Sequence, residues 1–133
     1  MISITPEGGL VSTAAEACIH LKAFFNDRFF DKSLIESLKD WRLILPPPSL
    51  FYYGIGLEKL IIPKVMTGFV EIKDVLGFWG QTGAFSFYHE ATDLYFTGTT
   101  NQINGSGHAA AMKAMIQIIK SELKEQKKHS KGA

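Results

Sequence analysis

At 133 residues the chain has the length of one domain, enough to bury a single core. Hydrophobic residues make up 46% and charged residues 20%, which excludes disorder, and no apolar run reaches the roughly 18 residues that a membrane span needs, so the chain reads as soluble. The formal net charge of +1 spreads over 14 basic and 13 acidic side chains, so no overall field draws nucleic acid or a membrane, and neither is expected as a partner.

Thr13 and Glu16 make a T-x-x-E capping box, which predicts a helix starting there. Ala14, Ala17, Cys18, Leu21, Phe24 and Phe25 recur at helical spacing and give it one core-facing stripe up to about Asn26. Leu34, Ile35 and Leu38 suggest a second, shorter helix. Pro46-Pro47-Pro48 fits neither a helix nor a central strand and reads as a stiff spacer between two apolar segments, in preference to a ligand for a proline-binding module. Residues 51–60, rich in aromatic and branched side chains and carrying Gly54 and Gly56, predict a strand that Pro63 ends. Residues 64–76 read as a loop with at most a short strand.

Residues 78–89 and 94–101 predict two strands, and the connection Glu90-Ala91-Thr92-Asp93 is short enough to require antiparallel pairing. Three glycines in Gly77 to Gly83 precede an aromatic alternation. Glycine costs stability inside a strand, so these positions suggest a backbone that something approaches closely, a substrate among the candidates. Ser106 is expected to cap a long helix over 106–127, with Ala111, Met112, Met115, Ile118, Ile119 and Leu123 as its apolar stripe and 128–133 as a tail. The order is helices (1–45), three antiparallel strands (49–103) and a closing helix: one α+β domain over 1–133.

Few side chains announce chemistry by themselves. Cys18 is the lone cysteine, which excludes an intramolecular disulfide, and on an apolar helix face it behaves as a small hydrophobe sooner than as a nucleophile. His20, His89, His108 and His129 lack ligand spacing, so neither a metal nor another cofactor is expected. Lys124, Lys127, Lys128 and Lys131 read as a solvated helix end. No basic stretch followed by an apolar one opens the chain, so no signal peptide is visible.

Four segments, in order, carry a likeness: Gly8-Gly9-Leu10-Val11-Ser12-Thr13-Ala14-Ala15-Glu16, Tyr53-Gly54-Ile55-Gly56-Leu57, Gly77 to Phe85, and Asp93 to Gln102. Together they resemble the C-terminal part of the serine β-lactamase, penicillin-binding protein and esterase superfamily, in particular its class C-like branch. The first resembles the opening of a helix beside the active site, the second the first C-terminal strand, the third the family's G-H-S-G-S-T-G-A-F type of stretch, and the fourth the strand that follows it.

The resemblance implies a partial β-lactamase-like fold and a parent enzyme that hydrolyses an ester or amide through an acyl-enzyme. It places the family's third box, written K-T-G or H-x-G, on Phe78-Trp79-Gly80, with the Gln81 backbone N–H directed at the developing oxyanion. A second register puts the box on Gln81-Thr82-Gly83 and the donor on Ala84. The box's usual lysine or histidine is missing in both. The S-x-x-K and Y-x-N boxes that carry the nucleophile and its proton-transfer partners are also missing, since Ser121-Glu122-Leu123-Lys124 matches only in letters near the end of the last helix. No catalytic residue is therefore expected in this chain, which would act alone as a silent fragment. The other reading is a binding or self-associating module: residues 94–101 would expose an unpaired sheet edge that recruits the missing N-terminal part of the fold or a second copy.

Overall fold

The computed structural model describes residues 11–43, 50–73, 75–102 and 105–131; the proline triplet and the Gly8-Gly9 pair lie outside them. Helix α1 (Ala14–Phe25) and the short α2 (Lys32–Ser37) come first. Strands β1 (Phe51–Tyr53), β2 (Glu58–Leu60), β3 (Val75–Trp79), β4 (Ala84–His89) and β5 (Leu94–Thr99) follow, and α3 (Gly105–Lys131) closes the chain. The strands form one antiparallel meander in sequence order.

The sheet thus has five strands where three were expected, and glycine accounts for the difference. The strand expected over 51–60 folds back between Tyr53 and Glu58, where Gly56 takes a φ of +66° and the Gly54 N–H donates to Leu57 O at 2.7 Å. The strand expected over 78–89 begins earlier, at Val75, and breaks at Gly80 to Gly83. The glycines that suggested a closely approached strand include two at hairpin positions; at Gly77 the close approach is internal, since a Cβ there would collide with Ser86 O and Phe87 of the neighbouring strand.

Sheet alternation divides the side chains into two faces. Leu60, Val75 and Phe87 point one way and pack with Ile62, Ile72 and the Met115, Ile116 and Ile119 stripe of α3, all at most 7% exposed. Phe51, Trp79, Phe85, Leu94 and Phe96 border this core. Ile116, not Ile118, completes the stripe: Ile118 is 49% exposed. Helix α3 starts at Gly105, one residue before the expected cap Ser106, and runs through the expected tail to Lys131.

On the other face Phe25 of α1 meets Tyr88 with ring centroids 4.6 Å apart, and Tyr88 stacks on Tyr95 at 4.6 Å. The capping box forms: Glu16 N–H donates to Thr13 Oγ1 at 3.2 Å and Thr13 N–H to Glu16 Oε2 at 2.8 Å. Thr97 Oγ1 ties β5 to the start of α1 by donating to Ala14 O at 2.7 Å. The two sheet edges differ. Arg42 bridges to the outer side of β1, exchanging backbone bonds with Tyr53 at 2.8 and 3.0 Å, whereas β5 has no strand beyond it among the described residues.

Candidate functional site

Residues 78–84 lie at the end of β3 and in the hairpin to β4. The Gly83 N–H donates to Gly80 O at 3.0 Å and the Gly80 N–H to Ala84 O at 2.7 Å, with Gly83 at φ +87°. A turn followed by a left-handed glycine is the usual construction of a three-residue hairpin loop, which explains this glycine without a ligand. Gly83 also has packing reasons to lack a side chain, because a Cβ would strike Thr100 Oγ1. Thr100 N–H donates to Gly83 O at 3.0 Å, pinning the hairpin to the strand that leaves β5.

Backbone donors here are allotted in a definite way. The Gly80 and Gly83 amides are spent inside the hairpin, and Trp79 N–H reaches the Glu58 carboxylate at 3.4 Å. The N–H groups of Gln81 and Thr82 have no acceptor among the described residues, and both side chains are exposed. In the first register Gln81, the expected oxyanion donor, lies two residues past the end of β3, inside the turn that Gly80 opens. In the second register Gln81, Thr82 and Gly83 form the turn itself and Ala84 opens β4.

The two aromatics of the expected box part company. Trp79 packs toward α3, with centroids 5.4 Å from Phe85, 5.0 Å from Phe87 and 4.7 Å from His108. Phe78, half exposed, points to the other face and lines an apolar cleft of about 190 Å³ with Leu21, Phe24 and Leu57. Trp79 is thus a packing residue, while Phe78 borders open space.

Two side chains absent from the sequence-based expectations belong to this end of β3. Pairing of β2 with β3 stops at Glu58 opposite Gly77, and the Glu58 side chain, 1% exposed, takes over where the ladder ends. Burial pushes its carboxyl up to about 7, against the opposing pull of the Trp79 N–H. Tyr53, directly opposite on β1, is itself raised by burial and by the nearby Glu58. The signal for Glu58 was present in strand parity, since it shares a phase with Leu60 and so had to face inward. His108, on the first turns of α3, brings Nε2 within 3.3 Å of Gly80 O. Only the long-range fold places it there, so no local pattern could reveal it.

Trp79 Nε1 and Thr100 Oγ1 are buried without a hydrogen-bond partner among the described residues. Ser121 lies exposed on α3. Compared with models of known protein families, with curated proteins and with solved structures, the chain gives no match.

Proposed function

We propose that this chain is the C-terminal part of a β-lactamase-like serine hydrolase. It supplies the wall of an acyl-transfer site for an ester or amide and leaves nucleophile and base to residues outside these 133. The observation that carries this reading is the Gln81 N–H, without an acceptor among the described residues, in the turn after β3 and past Gly77, where pairing with β2 ceases. A fixed backbone donor beside an open strand end is what a developing oxyanion requires. The order of strands and closing helix supports it. Phe78, rather than Trp79, then meets the substrate, because it alone of the pair faces a cleft.

Purified as it stands, the chain should leave nitrocefin and p-nitrophenyl esters unhydrolysed. Turnover that survives Ser121→Ala overturns the silence. Upstream coding sequence that contains S-x-x-K and Y-x-N and confers ester hydrolysis when expressed with the chain supports the reading; upstream sequence lacking both boxes refutes it.

A second reading rests on β5. Because Thr100 N–H points toward Gly83, alternation turns the N–H and C=O groups of Tyr95, Thr97 and Thr99 to the open side. Leu94–Thr99 carries no charge, proline or bulge to discourage pairing. Self-association through this edge is expected to give a dimer by light scattering that Thr99→Pro dissolves; a monomer at high concentration sinks this alternative.

A further inference from the structure

The connection between β2 and β3 gathers exposed apolar side chains on a firmly held loop. Lys64–Thr67 forms one turn of 3-10 helix, and Gly68 and Phe69 follow in the left-handed region at φ +65° and +66°. A bulky residue rarely adopts that conformation, and here it turns the ring outward: Phe69 is 81% exposed, beside Val65 at 75% and Met66 at 47%. The loop is nevertheless held firmly. Thr67 is fully buried, its hydroxyl seated between the carbonyls of Lys64 and Val70, and the Phe69 N–H donates to Lys64 O at 2.8 Å.

This apolar tip adjoins a basic flank of α3. At about 100° per residue, Lys113, Lys120, Lys124 and Lys127 fall within an arc of roughly 60°, while Glu122 and Glu125 lie on the other side of the helix. Lys120 Nζ comes within 3.9 Å of where a Gly68 Cβ would sit, so flank and loop touch. Lys73 and Lys127 line one cleft of about 240 Å³ with Val70 and Leu123. None of these five lysines forms an ion pair among the described residues; Lys64 is 3.6 Å from Glu71 and Lys128 is 2.8 Å from Glu125.

We propose that this edge of the molecule docks on an anionic lipid surface, with Val65, Met66 and Phe69 entering the interface and Lys73, Lys120, Lys124 and Lys127 lying against headgroup phosphates. Glu71 lines the same cleft as Lys73 and Lys127 and pairs with Lys64, so the basic side chains outnumber the acidic one here; a protruding apolar tip bordered by this excess of ammonium groups matches a surface that is anionic outside and apolar within. A nucleic acid offers the charge but no apolar layer for Val65 and Met66. Among the described residues no helix is long and apolar enough to cross a membrane, and lying on a bilayer makes no such demand.

Co-sedimentation of the full chain with phosphatidylcholine vesicles, with and without phosphatidylglycerol, tests the proposal. Binding is expected only to the anionic vesicles, weakening about fivefold for each of Lys120→Glu and Lys124→Glu and falling further with added salt. Val65→Ser with Phe69→Asn, the asparagine tolerating the left-handed backbone, should lower binding at least about tenfold with the circular dichroism unchanged. Phe69→Trp should show a blue-shifted emission quenched by brominated lipid. Absence of binding to anionic vesicles at low salt, binding indifferent to the apolar substitutions, or capture by single-stranded nucleic acid in place of vesicles each overturns it; if Phe69→Trp does not fold, the lysine variants decide.

Discussion

The two faces of the sheet are built on different principles. Toward α3 the core is densely apolar, an aliphatic stripe of the helix set against Phe87 and the rings of Trp79 and Phe85, with Phe87 and Ile119 wholly inaccessible. Toward α1 and α2 the contacts are aromatic and polar: the Phe25, Tyr88 and Tyr95 series, the Asn26 Nδ2 bond to Tyr95 Oη at 3.0 Å, and Lys22 over the Tyr95 ring at 5.3 Å. Clefts of about 270, 350 and 190 Å³ remain between these helices and the sheet. One face can therefore carry the stability while the other stays open enough to be lined by Phe78. Had both been packed alike, a site at the end of β3 would have no room.

The largest expected effect tests this division directly. Phe87→Ala removes a fully buried ring from the α3 face and should cost about 3–5 kcal/mol, whereas Phe25→Ala, at a half-buried ring on the open face, should cost well under half of that. Urea denaturation of the two variants measures both. Equal losses would mean that the open face contributes as much as the closed one.

Glu58, like His89, is a buried polar side chain on the α3 face, and its titration sharpens the contrast. Its folded-state carboxyl stands near 7, above its ordinary value of 4.5. The folded state therefore holds its proton more tightly than the unfolded chain. The contribution of Glu58 to stability is complete below about pH 4.5 and declines as pH rises to about 7, by up to roughly 3 kcal/mol, after which it levels off. Glu58→Gln keeps an acceptor for the Trp79 N–H and cannot ionise. It should flatten that decline and be the more stable protein at pH 8, as followed by denaturant midpoints across the range. A wild-type midpoint constant from pH 4.5 to pH 8 would show that Glu58 is not desolvated.

What was legible in the residues was local. The Thr13 and Glu16 box, the α1 stripe, the antiparallel return through residues 90–93 and the long closing helix follow from short-range spacing, and each stands in the structure. Glycine was ambiguous in principle, because freedom from a Cβ serves a tight turn and a close approach equally. Gly56 proved to be the former, Gly77 the latter and Gly83 both, and the close approaches are set by partners that local spacing does not reveal. Residues 78–81 were singled out by the resemblance, and the surroundings that the fold gives them were not legible. His108 comes to Gly80 across 28 residues, and the separation of Phe78 from Trp79 depends on strand phase, which two residues named together as a box conceal.

The smallest expected effect concerns how the open face is held. Helix α1 begins at an exposed cap, and beyond its one well-buried side chain, Leu21, it is tied to β5 by the Thr97 bond to Ala14 O. Thr13→Ala removes the acceptor for Glu16 N–H and should cost about 1 kcal/mol, appearing chiefly as faster amide exchange over the first turn of α1 while amides facing α3 keep their protection. Acid should act in the same place. The backbone and hydroxyl of Thr13 hold the Glu16 carboxyl below its ordinary value, so the cap is intact above about 4.5 and fails as pH drops through the lowered value. The two faces thus respond oppositely to acid: α1 frays while the site of Glu58 is relieved. Uniform loss of exchange protection on both faces at low pH would show that the sheet and its two helical layers open as a single unit.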